Sequence, residues 1–158
     1  MPQKHLPEKT ILTNLVMVEN ADTKEVLLEN RLNQNWAGIT FPGGHVNPGE
    51  SFVESAIREV YEESHLHIEN PQLIGVKQFM MTVQDTPVRY VVFLFRTNQF
   101  KGTLHASIEG DVFWQNPYQV KQSQAVDDFF DLLQIFKSYD VSELYYQDYD
   151  GQSIKRVE

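Results

Sequence analysis

The chain has 158 residues, 41% hydrophobic and 12% aromatic, enough for one domain with a two-layer core. It has no cysteine, which excludes disulfides, cysteine-based zinc sites and thiolate catalysis; a formal net charge of −9 argues against gripping a long nucleic acid by its phosphates, though not against a small nucleotide. No apolar run approaches a membrane span, and the polar start MPQKHLPEKT is not a signal peptide, so the expected location is the cytoplasm, with no membrane partner.

In chain order, residues 10–18 and 25–31 are short apolar runs flanking Asn20-Ala21-Asp22, which reads as a hairpin. Residues 51–64 follow Pro48-Gly49, contain neither Gly nor Pro, and read as a helix of about four turns capped by Glu50 or Ser51. Residues 73–83 and 88–97 are strand-like around a turn at 84–87, and 111–115 is another short strand. Asn116-Pro117 is a helix-start signal, and residues 124–139 carry Val126, Phe129, Phe130, Leu133 and Phe136 at helical spacing. Residues 144–149 and 153–157 flank Asp150-Gly151, a hairpin signal. No repeat or linker interrupts this order, so one domain over 1–158 is expected, an α/β (α+β) fold with a mixed sheet between helices.

The chemistry concentrates between Gly43 and Leu66, GGHVNPGESFVESAIREVYEESHL. On the 51–64 helix, Val53, Ala56, Ile57 and Val60 gather on one side, and Glu59, Glu62 and Glu63 on another. Adjacent carboxylates repel by a few tenths of a kcal/mol per pair, so the cluster calls for either a cation or simple solvation. Hard divalent ions choose carboxylate and carbonyl oxygens, and Gly43-Gly44 lets backbone approach both ion and phosphate.

The residues alone leave both readings open, and the full pattern adds a resemblance. Gly44, five residues, Glu50, seven residues, Arg58-Glu59-Val60, one residue, Glu62-Glu63, one residue, then His65-Leu66 resembles the Nudix box, here residues 44–66. Every specified position matches except His65, where the family has a glycine that ends the helix in a left-handed conformation, a role histidine fills at about 1 kcal/mol. The resemblance implies an α/β/α sandwich and a hydrolase of acid anhydrides that uses Mg²⁺, with Mn²⁺ as a possible substitute. It implies metal ligation by the Gly43 carbonyl, Glu59, Glu62, Glu63 and Glu109. Arg58 and Glu50 would brace the carboxylates and the loop, and Glu59 or Glu109 would take the proton of the attacking water. Phe41-Pro42-Gly43-Gly44 and the segment from Phe100 to Trp114 are similar to the MutT-like branch. That likeness implies cleavage of a (d)NTP such as 8-oxo-dGTP to the monophosphate and pyrophosphate. His45 departs from the lysine usual there. ADP-ribose or another nucleotide sugar is the alternative substrate, and a non-catalytic nucleotide-sensing module is the alternative of another class.

Around the box, Gly43, Gly44, Arg31, Phe41 and Asp127 are the expected substrate contacts. Arg31 would meet phosphates or base, with a surface ion pair as the plain alternative; Phe41 would stack on a base. Asp127, with Asp128, opens a helix, where the dipole alone favours acids. Trp36 and Trp114 are stacking candidates or core, Tyr145, Tyr146 and Tyr149 strand packing or a dimer contact. Either a monomer or a homodimer is expected.

Overall fold

The computed structural model describes residues 4–33, 35–105, 110–149 and 152–158. In chain order the elements are β1 Thr10–Val18, β2 Val26–Arg31, β3 Gly38–Thr40, α1 Phe52–Ser64, β4 His67–Glu69, β5 Gln72–Val83, β6 Thr86–Thr97, β7 Gln99–Lys101, β8 Gly110–Gln115, α2 Phe129–Lys137, β9 Glu143–Tyr149 and β10 Gln152–Val157. A mixed sheet runs β1-β6-β5-β9-β10, a second runs β3-β2-β8, and β4 pairs with β7. β1 lies parallel to β6, from Thr10 opposite Arg89 to Val18 opposite Thr97. β5 returns to β6 through Gln84-Asp85, both left-handed at φ 48° and 61°, the conformation of the tight turn that matches strand twist.

Alternation along β1 and β2 builds a core on each side. Val16, Val18 and Leu27 face α1 and pack with Ala56, Val60 and Phe95. Met17, Val26 and Leu28 face α2 and pack with Phe129, Leu132, Leu133 and Phe136. The expected α/β/α sandwich with a mixed sheet is what forms. Each fully buried aliphatic or aromatic side chain contributes about 1.5–3 kcal/mol by leaving water.

Three local readings need correction. The turn after β1 forms, with the Asn20 amide donating to the Glu25 carbonyl at 2.9 Å, but the strands it joins part into different sheets and meet only at Glu19 and Val26. The second helix begins at Phe129, because residues 125 and 126 are taken by β3: Val126 donates to the Ile39 carbonyl at 3.1 Å. Asn116 does cap and Pro117 does start a helical turn, yet only a single 3-10 turn, Pro117–Gln119. The terminal hairpin of β9 and β10 pairs antiparallel as expected, while its turn at Asp150-Gly151 lies outside the described residues.

Candidate functional site

The chain leaves β3 and zips onto the outer edge of β1. The Asn14 and Val16 amides donate to the carbonyls of Gly44 and Pro42, both at 2.8 Å, and the Val46 amide donates to the Leu12 carbonyl at 2.9 Å. At Gly43 a Cβ would lie 2.0 Å from the Asn14 carbonyl oxygen, so only glycine allows this approach. At Gly44 a Cβ would lie 2.4 Å from Glu59 Oε2. The second glycine makes room for a carboxylate.

That carboxylate arrives on α1, whose start is fixed by a reciprocal cap. The Ser51 hydroxyl accepts from the Glu54 amide at 3.0 Å, and the Glu54 carboxylate accepts from the Ser51 amide at 2.8 Å. Glu50 is therefore not the cap. It accepts from the Asn47 amide at 2.7 Å and with its two oxygens takes one edge of Arg58, Nε at 3.0 Å and Nη2 at 2.7 Å. These bonds, Arg58 first, pull the Glu50 pKa down to about 2. Arg58 also donates to Glu59 at 2.8 Å, to Glu62 at 3.1 Å and to the His45 carbonyl at 2.8 Å. One guanidinium thus ties loop and helix together. At its far end α1 stops on His65, left-handed at φ 63° with its amide on the Tyr61 carbonyl, which is the role expected of the missing glycine.

Glu63 turns inward. It is 2% exposed, and its Oε2 accepts from the Gly43 amide at 3.0 Å. Burial first, and the Glu29 carboxylate second, push its pKa up to about 9. Arg31 donates from Nη2 to the Gly43 carbonyl at 3.2 Å and stands 3.7 Å from Glu29. Among the described residues no three carboxylate or imidazole side chains lie close enough to hold an ion as they stand.

The structure therefore brings Arg31, Gly43, Gly44, Arg58, Glu59, Glu62 and Glu63 to one place. Glu109 lies outside the described residues. Phe41 is corrected: it is fully buried, stacked on Phe129 at 5.1 Å and tilted against Phe136 at 4.6 Å, so it supports the loop from beneath and has no face for a base. Trp114 packs on Phe100 at 5.0 Å within the α1 core, whereas Trp36 is 46% exposed with its ring 6.3 Å from Phe79. Asp127 is exposed, and its neighbour Asp128 is the engaged one. Asp128 pairs with Lys77 at 2.5 Å and accepts from the Tyr146 hydroxyl at 2.8 Å. Sequence reasoning missed Glu29. Its signal was the alternation Leu27, Glu29, Arg31 on one face of a strand whose first residues are core.

Comparison with known proteins places this arrangement. The NUDIX domain model matches residues 10–134. The uncharacterized Nudix hydrolase YvcI of Bacillus subtilis (strain 168) is 35% identical over 107 residues, 66% of this chain and 65% of that protein. The human 8-oxo-dGDP phosphatase NUDT18 is 30% identical over 104 residues, 65% of this chain and 30% of that protein. The chain thus spans less than two thirds of these curated relatives. Among solved structures, the MutT protein of Bacillus halodurans superposes with a TM-score of 0.72 at 22% identity, covering 94% of this chain and 97% of that one. The MutT Nudix hydrolase of Burkholderia pseudomallei does so at 0.67 and 17%, covering 80% and 98%. These two show the shared fold, and Nudix hydrolases generally use divalent metals and act on small nucleotides. With the domain match covering most of its length, the chain belongs to the Nudix family.

Proposed function

We propose that this chain is a hydrolase that cleaves a phosphoanhydride bond in a small nucleotide with a divalent ion, Mg²⁺ or in its place Mn²⁺. The observation that carries this reading is the Glu59 carboxylate laid against Gly44, where any Cβ would collide with it, beside Glu63 on the Gly43 amide. The donor set is all oxygen: carboxylates of Glu59, Glu62 and Glu63, and the Gly43 carbonyl. That set suits a hard cation. When bound, the ion supplies charge neutralisation at the phosphates and acidifies water.

The rest is work for the chain's own groups. The Gly43 amide fixes one Glu63 oxygen against the loop. Arg58, anchored by both oxygens of Glu50, donates to the Glu59 and Glu62 carboxylates together and holds the loop through the His45 carbonyl. Arg31 offers a guanidinium beside the glycine loop, where a diphosphate would lie. Glu59 or Glu109 takes the proton of the attacking water. Trp36, exposed and next to Phe79, replaces Phe41 as the ring we assign to stacking on a base.

For the substrate we favour a (d)NTP such as 8-oxo-dGTP, cleaved to the monophosphate and pyrophosphate. This reading is supported by the MutT-named structures and by the human relative named for 8-oxo-dGDP. We also read residues 1–158 as one such domain, since β9 and β10, beyond the matched stretch, extend the same sheet as β1.

The test is a panel of (d)NTPs, 8-oxo-dGTP, 8-oxo-dGDP, ADP-ribose, dinucleoside polyphosphates and NADH with Mg²⁺, reading phosphate and pyrophosphate release. Glu59→Gln and Glu63→Gln are expected to lower kcat by about two to four orders of magnitude while keeping the fold. Turnover of ADP-ribose alone would move the substrate to nucleotide sugars. No release from any compound would leave a nucleotide-sensing module.

A further inference from the structure

A glutamate inside a small domain needs a reason, because desolvating a carboxylate is costly unless cations or hydrogen bonds compensate. Glu29 is 1% exposed and stands on β2 two residues before Arg31, on the same face of the strand. Its Oε2 lies 3.7 Å from the Arg31 Nε, the distance of an ion pair without a hydrogen bond. The other end of that guanidinium donates to the Gly43 carbonyl at 3.2 Å. Gly110, on the neighbouring strand, is needed first for the Asn30 carbonyl, which a Cβ would meet at 2.4 Å, and Glu29 Oε1 lies 3.3 Å from the same point. Carboxylate, guanidinium and loop carbonyl therefore follow one another, with Glu63 on the amide of the same loop residue.

We propose that Glu29 is a positioning residue of this site, which acts through Arg31 by holding one edge of the guanidinium so that the rest faces the glycine loop and the diphosphate placed there. The assignment rests on reading that loop as the phosphate-bearing part of the site. A long arginine side chain has many rotamers, and a carboxylate behind it removes most of them before a ligand arrives. The arrangement is poor for stability. Glu29 and Glu63 are both almost fully buried near the same guanidinium, so in this dry interior the charge on Glu29 makes it costly for Glu63 to ionise as well. Removing the Glu29 charge relieves Glu63, so function and stability should respond to Glu29→Gln in opposite directions.

The experiment compares the full chain with Glu29→Gln, Arg31→Gln and the double variant. It reads thermal midpoints without metal, and calorimetric binding of inorganic pyrophosphate in the presence of Mn²⁺, with Mn²⁺ alone as blank. Pyrophosphate carries no base, so the outcome does not depend on which nucleotide is the substrate. We expect Glu29→Gln to raise the midpoint by about 2–4 °C and to weaken pyrophosphate binding about tenfold. Arg31→Gln weakens it at least as much, and the double variant is no weaker than Arg31→Gln, because the two side chains act as a unit. A lower midpoint with unchanged binding in Glu29→Gln would make the residue part of the fold alone. Losses that multiply in the double variant would show Glu29 acting without Arg31. Failure of the unsubstituted protein to bind pyrophosphate with Mn²⁺ would overturn the phosphate reading itself, and the role of Glu29 with it.

Discussion

Gly43 and Gly44 are neighbours, yet their missing side chains make room for different things, and substitution separates them. A methyl group at Gly43 meets the backbone of β1 at 2.0 Å, and backbone in a paired strand cannot step aside. Gly43→Ala is expected to cost about 1–3 kcal/mol of stability, visible as a lower denaturation midpoint. A methyl group at Gly44 meets only the carboxylate end of Glu59, which can swing away. Gly44→Ala should keep its midpoint within about 1 kcal/mol of the parent and lose about 10–100-fold in turnover through misplacement of Glu59. Equal effects of both substitutions on both measurements would refute this division. Arg58 belongs to the same scale. It joins Glu50, Glu59, Glu62 and the His45 carbonyl, so Arg58→Ala releases loop and helix at once and is expected to reduce both Mn²⁺ affinity and turnover about 10–100-fold.

Helix α1 carries the site between a well-built start and a strained end. Ser51→Ala removes the hydroxyl that accepts from the Glu54 amide and should cost about 1 kcal/mol in a urea titration. His65→Gly removes the left-handed penalty at φ 63° and should return about 1 kcal/mol without changing kcat; a fall in turnover would give the imidazole a role that its position does not suggest. The box and this helix were legible because capping, amphipathicity and carboxylate spacing are all local. Glu29 was not, since its burial depends on β8 and α1, more than twenty residues away in sequence. The start of α2 was misread for the same kind of reason: residues 124–126 have helical spacing, but β3 takes the Val126 amide first, and tertiary pairing outweighs propensity. β3 itself, only the three residues Gly38–Thr40, has too few residues to show a period. Phe41 looked like a ligand contact because it precedes the glycine loop; only packing against Phe129 and Phe136 shows that it is core.

At the scale of the molecule, the acidic groups of the site give the metal-free protein two opposing dependences on pH. Glu50 has its pKa lowered from 4.5 to about 2, so it contributes stability above about 4.5 that is lost as pH falls toward 2. Glu63 has its pKa raised from 4.5 to about 9, and the sign reverses. The folded chain holds a proton that the unfolded chain has released, so its contribution is complete below about 4.5 and is lost as pH rises to about 9. Without metal, stability should therefore fall between about pH 4.5 and 9, by at most about 1.4 kcal/mol per pH unit from this one group, and level off above. On the proposed reading a Mg²⁺ ion held by Glu63 would need it ionised, so binding should release that proton and the apparent affinity should rise with pH over the same window. Thermal midpoints measured across pH with chelator and with excess Mg²⁺ check the linkage. The decline should be present with chelator, absent with Mg²⁺, and absent in Glu63→Gln under both conditions. An identical slope with and without Mg²⁺ would mean that the ion does not engage Glu63, and the carboxylate on the Gly43 amide would then be a fold constraint and not a ligand.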